Sequence, residues 1–123
     1  MESSKTRQLS VTRDQVLVAH AADMIARTSM STDKFAQALS QQMHLLVPGK
    51  AEEAHVPDFE ALAKGNDAAA FLKASGSFLK RVQRWLNGDI ELPSWVEEPW
   101  VQALDAGYQE RCLNELASRH GLV

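Results

Sequence analysis

The sequence predicts an all-α fold, a helical domain with about six or seven helices, and three observations carry that expectation. Apolar residues recur three and four positions apart through most of the chain. Nowhere do apolar and polar residues alternate as a half-buried strand requires. Capping residues and glycines punctuate the chain at helix-length intervals. The 123 residues suffice for one core, and 45% hydrophobic with 24% charged is an ordinary globular balance.

Residues 1–10 read as a polar tail. From Thr12 the pattern turns helical, with Leu17, Ala21, Met24 and Ile25 on one stripe, so a first helix covers about 12–27. Ser31 or Thr32 caps a second helix, Asp33 suits its positive end, and Phe35, Leu39, Met43 and Leu46 form its stripe. Val47-Pro48-Gly49 reads as its stop, which makes 11–47 an N-terminal helical pair. "PGKAEEAHVP", 48–57, reads as a polar linker bracketed by prolines. Three short helices follow, ending at Gly65, Gly76 and Gly88, with Asp58 and Asn66 or Asp67 as starts. "DIELP" is extended. Val96, Trp100, Leu104, Tyr108, Cys112 and Leu116 then fall four apart to about residue 119, with Pro99 in the first turn or at a kink. The organisation is a central unit at 58–104 and a C-terminal helix at 105–123, one domain overall.

Composition excludes several function classes. The net charge is −3, which counts against a uniformly basic nucleic-acid coat protein but not against a local basic surface. Cys112 is the lone cysteine, so no internal disulfide forms, as suits a reducing cytoplasm. "MESSKTRQLS" has no apolar stretch behind its charges and reads as no secretory signal. "VLVAHAADMIA" is too short and too polar to span a bilayer, so no membrane partner is expected. His20, His44, His55, Cys112 and His120 match no metal-ligand spacing, and neither metal nor cofactor is expected. Cys112 and His120 lie over two helical turns apart with nothing to orient the imidazole. Glu52-Glu53 and Glu97-Glu98 are neighbouring carboxylates without a pocket, and no glycine-rich phosphate loop is present. An enzyme is therefore not expected.

The informative stretch is 78–87. On a helical projection Phe78, Leu79, Val82, Trp85 and Leu86 share one arc, and Lys80, Gln83, Arg84 and Asn87 face away with Arg81 on the flank. From Ala68 to Gly88 there are four cations, Lys73, Lys80, Arg81 and Arg84, and no acid; the remainder carries nine cations and sixteen acids. Lysine and arginine pair with phosphates, and glutamine or asparagine reads adenine. A solvated helix face is the bland alternative. Trp85, Trp95 and Trp100 read as core or dimer-contact residues rather than a stacking platform, with Trp95 the least explained.

"AAFLKASGSFLKRVQRWLNG" resembles the helix-turn-helix of the Cro/phage-repressor (Xre-type) DNA-binding family over about 58–104. Gly76 matches the turn, Phe71 and Val82 match buried positions, Trp85-Leu86-Asn87-Gly88 the close, and Pro93 the proline after it. The resemblance implies sequence-specific double-stranded DNA binding, as a homodimer and a transcriptional regulator of bacterial or phage type. Lys80, Gln83 and Arg84 would then face the groove, and Arg81, Lys73 and Asn87 the backbone. The rival reading is a degenerate helix-turn-helix that binds a protein partner, as an interaction module or antitoxin-like adaptor. The Ser77-Phe78 order after the turn glycine and the acids that follow Gly88 favour it.

Overall fold

Helices and short connections make up residues 12–121, the part that the computed structural model describes; the polar tail expected at 1–10 lies outside it. Seven α-helices and one 3-10 turn make up the described residues, without a strand.

Helix α1, Arg13–Arg27, starts where the sequence expects. Thr12 caps it in a reciprocal box: the Gln15 amide donates to the Thr12 hydroxyl (3.1 Å) and the Thr12 amide to the Gln15 side chain (2.9 Å). Helix α2, Thr32–Leu46, is capped by Ser31, whose hydroxyl accepts from the Lys34 amide at 3.1 Å. The segment expected as a linker is helical at once: α3, Pro48–Glu53, follows α2 with only Val47 between. Proline at a first helical position lacks only a donor that would go unused there, so Pro48 opens a helix as readily as it closes one. Ala51 and Val56 are buried, which pins this segment against α2. Helix α4 is Phe59–Lys64, capped by Asp58.

Helix α5, Ala68–Leu86, departs most from expectation. The sequence reading divides it at Gly76; the structure runs it through as one helix of 19 residues. Phe71, Phe78, Val82 and Trp85 keep a single helical phase across the glycine, and the last three are buried. A mid-helix glycine costs about 0.5–1 kcal/mol. Phe59 bridges the glycine, its ring 5.7 Å from that of Phe71 before Gly76 and 6.4 Å from that of Phe78 after it, so contacts on both sides favour one continuous helix. The true stop is one helix later in the pattern. Gly88 takes φ +77°, its amide donates to the Trp85 carbonyl (3.1 Å), and the Asp89 amide donates to that of Arg84 (2.9 Å).

The chain then crosses back along α1. The Leu92 amide donates to Asp14 Oδ2 at 2.9 Å, and the Arg13 guanidinium donates to the Leu92 carbonyl. After the 3-10 turn Ser94–Val96 come α6, Glu97–Ala103, and α7, Ala106–Ser118. Pro99 sits buried in the first turn of α6, one of the two places expected for it. The expected long helix breaks instead at Leu104, which is extended (ψ 152°). The break lets the two halves of one apolar stripe bury on different partners, α6 chiefly on α2 and α7 on α1. Gln109 seals the exposed carbonyls, donating to Leu104 (2.8 Å) and Gln102 (3.2 Å).

Trp100 is the centre of the core. It is fully buried, meets Phe35 edge-on at 4.9 Å and Trp85 at 6.3 Å, and its indole N–H donates to the Leu17 carbonyl at 2.8 Å. Val96, Leu104 and Cys112 of the expected stripe are buried beside it. Trp95 is half-buried against the same core. No helix among the described residues is long and apolar enough to cross a membrane.

Candidate functional site

Helix α5 turns its apolar arc inward, and helical geometry leaves the opposite arc to solvent. Lys73, Lys80 and Arg84 all lie exposed there, within about 40° of one another over a length of about 16 Å. Ser77, also exposed, lies between them on the same ridge. None of the three cations forms an ion pair with another described residue, whereas Arg13, His20 and Arg27 all do. Asn87 and Gln83 continue the exposed face on one side. Beyond them stands Leu72, 70% exposed.

Arg81 lies on the flank of this face, as the helical projection expects. It is half-buried, its Nη1 donates to the Ala54 carbonyl at 3.0 Å, and its guanidinium lies 5.6 Å from the centre of the Phe78 ring. It ties α5 to the end of α3. The structure thus brings Lys73, Lys80, Gln83, Arg84 and Asn87 together on one surface and places Arg81 on its flank. His55 and Ser77, which residue type and spacing did not single out, line a notch with Arg81.

The acids after Gly88 lie at the far end of the ridge. Asp89 and Glu91 are exposed and line a cleft of about 430 Å³ with Asp14, Gln15, Trp85 and Asn87. The positive surface therefore ends at the last turn of α5.

Elsewhere the side chains that carry chemistry are dispersed. Cys112 is buried, and that burial, with Glu115 and Glu97 nearby, pushes its thiol up to about 11. A thiol so held is a poor nucleophile at neutral pH. Glu52 and Glu53 are exposed on α3, and Glu97 and Glu98 occupy the first turn of α6. Among the described residues no three His, Cys, Asp or Glu side chains cluster to hold a metal.

A sequence-family model covers residues 14–106 and matches a family of unknown function, DUF8585. The chain belongs to the DUF8585 family. The resemblance to the Cro/phage-repressor family is overturned, both by this membership and by α5, which has no turn where the motif needs one. The family match runs from the first turn of α1 to the start of α7, so the DUF8585 unit takes in the α5 ridge and the core beneath it. An uncharacterized protein of Xylella fastidiosa (strain 9a5c) is similar to this DUF8585 chain, 26% identical over 111 residues. That alignment takes in 88% of this chain and 50% of the relative, so the chain spans about half the length of the curated relative it matches. No solved structure matches the chain.

Proposed function

We propose that this DUF8585 chain binds double-stranded DNA through the exposed ridge of α5. One observation carries the reading: Lys73, Lys80 and Arg84 stand in line, exposed and unpaired among the described residues, on a helix with no carboxylate between Ala68 and Leu86. Cations spaced along a straight helix neutralise phosphates and release condensed counterions, which favours association whatever the base sequence. A single exposed helix also fits the width of a major groove. Any sequence preference, and with it a regulator's role in transcription, rests on Gln83 and Asn87, whose amides can meet adenine edges. A homodimer would set two ridges on one duplex.

The test is fluorescence anisotropy of a labelled random-duplex pool at low and physiological salt. The folded protein is expected to bind in a salt-sensitive way, and Lys80→Ala with Arg84→Ala to lose that binding while keeping its helical circular dichroism. Equal binding by the double variant would sink the assignment of the ridge.

Leu72 favours a second reading. An exposed leucine beside cations suits an acidic, apolar-faced protein partner, as an interaction module or adaptor requires. No duplex binding by the folded chain, even at low salt, would turn the case to that partner.

A further inference from the structure

We infer that the notch between α4 and α5 is a phosphate-binding site built on Arg81, Ser77 and His55. It is an open notch of about 390 Å³, lined by these three and Asp58 over a mostly apolar wall that includes Leu62, Ala74 and Phe78. The inference goes beyond duplex binding by the ridge, because it rests on a cation outside the ridge, Arg81, and on His55 of another element, with Ser77 at the border of the two surfaces.

Arg81 is the reason. Its guanidinium is half-buried and has five N–H groups, of which one donates to the Ala54 carbonyl. No carboxylate among the described residues lies within 4.0 Å of it. A charge withdrawn from water without a counter-ion is costly, and among the described residues it is met by a carbonyl and the Phe78 ring. The Ala54 bond and the ring also hold the guanidinium in place, so its remaining donors are ordered in advance rather than swept through solvent. The Ser77 hydroxyl is one helical turn before Arg81 and on the adjoining surface. Lys73 and Lys80 are the other helical neighbours of Ser77, at four residues before and three after, and make the local potential positive.

His55 closes the notch from the α3–α4 connection. Its φ of +57° is a left-handed conformation uncommon for a residue with a side chain, and its amide donates to the Glu52 carbonyl at 3.1 Å. That turn carries the imidazole to the notch wall. Asp58 is the one acid in the lining. Its Oδ1 accepts from the Ala61 amide at 3.2 Å as the cap of α4, and it makes no ion pair with Arg81. Arg81 and Ser77 on α5 and His55 on the α3–α4 connection all line the notch, and a guanidinium, a hydroxyl and an imidazole are donors that suit a tetrahedral anion with several acceptor oxygens.

The experiment is a titration of the ¹⁵N-labelled full chain with inorganic phosphate at constant ionic strength, with chloride as the reference. Saturable shifts are expected at the His55 ring and Arg81 Nε–H. Arg81→Gln is expected to weaken binding about tenfold or more, the loss of a charge-assisted hydrogen bond. Lys80→Ala with Arg84→Ala should change it by only about twofold, since neither side chain lines the notch and Lys80 adds only to the screened local potential. No saturation beyond that of chloride, or unchanged affinity in a folded Arg81→Gln, overturns the site. Should Arg81→Gln fail to fold, the exposed Ser77→Ala/His55→Ala double variant decides: weaker binding supports the site, and unchanged binding overturns it. Added duplex then separates the sources of phosphate. Displacement of inorganic phosphate by duplex supports a seat for a backbone phosphodiester, and retained phosphate supports a seat for a small phosphate-bearing ligand. Failure of the ridge reading shows separately, as loss of anisotropy response with the notch titration intact.

Discussion

Replacing one ridge lysine should alter the salt dependence of duplex binding by a calculable amount. Lys73, Lys80 and Arg84 are the cations that the folded chain presents in line without partners among the described residues. If each neutralises one phosphate, the logarithm of the association constant falls against the logarithm of salt with a slope of about −2.7. Between 50 and 200 mM salt the affinity would drop about fortyfold. Lys80→Ala removes one contact, so the slope should ease to about −1.8 and the loss over the same range to about twelvefold. The assay is anisotropy of a random-duplex pool at five or more salt concentrations, fitted for slope. Two ridges on one duplex, as in a homodimer, would double the wild-type slope to about −5.4. An unchanged slope in Lys80→Ala would refute the argument that this ridge touches the backbone, whatever the affinity. An unchanged slope in Arg81→Gln is expected if the notch holds a small phosphate-bearing ligand, and a slope eased by about 0.9 if it seats a backbone phosphodiester.

Glycine substitutions report whether α5 is continuous. Gly76→Ala should stabilise the fold by about 0.5–1 kcal/mol in urea unfolding, because a Cβ there meets nothing within 4 Å and the backbone is helical. Gly88→Ala should destabilise it by about 1–2 kcal/mol, because φ is +77°. Loss of stability in Gly76→Ala would restore a turn there. Trp100→Phe should cost about 1–3 kcal/mol by deleting the buried donor to the Leu17 carbonyl, and a change under about 0.5 kcal/mol would deny that bond a role. For Cys112, the folded thiol keeps its proton up to about pH 11 while the unfolded one releases it near pH 9.0. Its contribution is full below pH 9 and is lost as pH rises toward 11, so the wild-type chain should lose more stability than Cys112→Ala over that window. Equal pH profiles for the two would remove the effect.

The sequence by itself determined whatever is written in local spacing. Thr12, Ser31, Asp58 and Asp67 are caps because a short polar side chain can reach an amide three residues on, wherever the rest of the chain goes. The inward arc of Phe78, Val82 and Trp85 follows from helical periodicity, and so does the opposed ridge of Lys73, Lys80 and Arg84. Local spacing leaves Gly76 and Pro48 undecided, because their effect depends on distant contacts. Gly76 can end a helix or sit inside one, and the contacts of Phe59 with Phe71 on one side of it and Phe78 on the other kept it inside. Pro48 can stop a helix or open one, and burial of Ala51 against α2 made it the opening. The stripe from Val96 to Leu116 is one pattern on two helices, because only packing on α2 and then on α1 forces the bend at Leu104. Tertiary structure also decided what Arg81 meets on the flank, since the carbonyl it donates to belongs to Ala54, 27 residues away, and no spacing rule reaches across a fold.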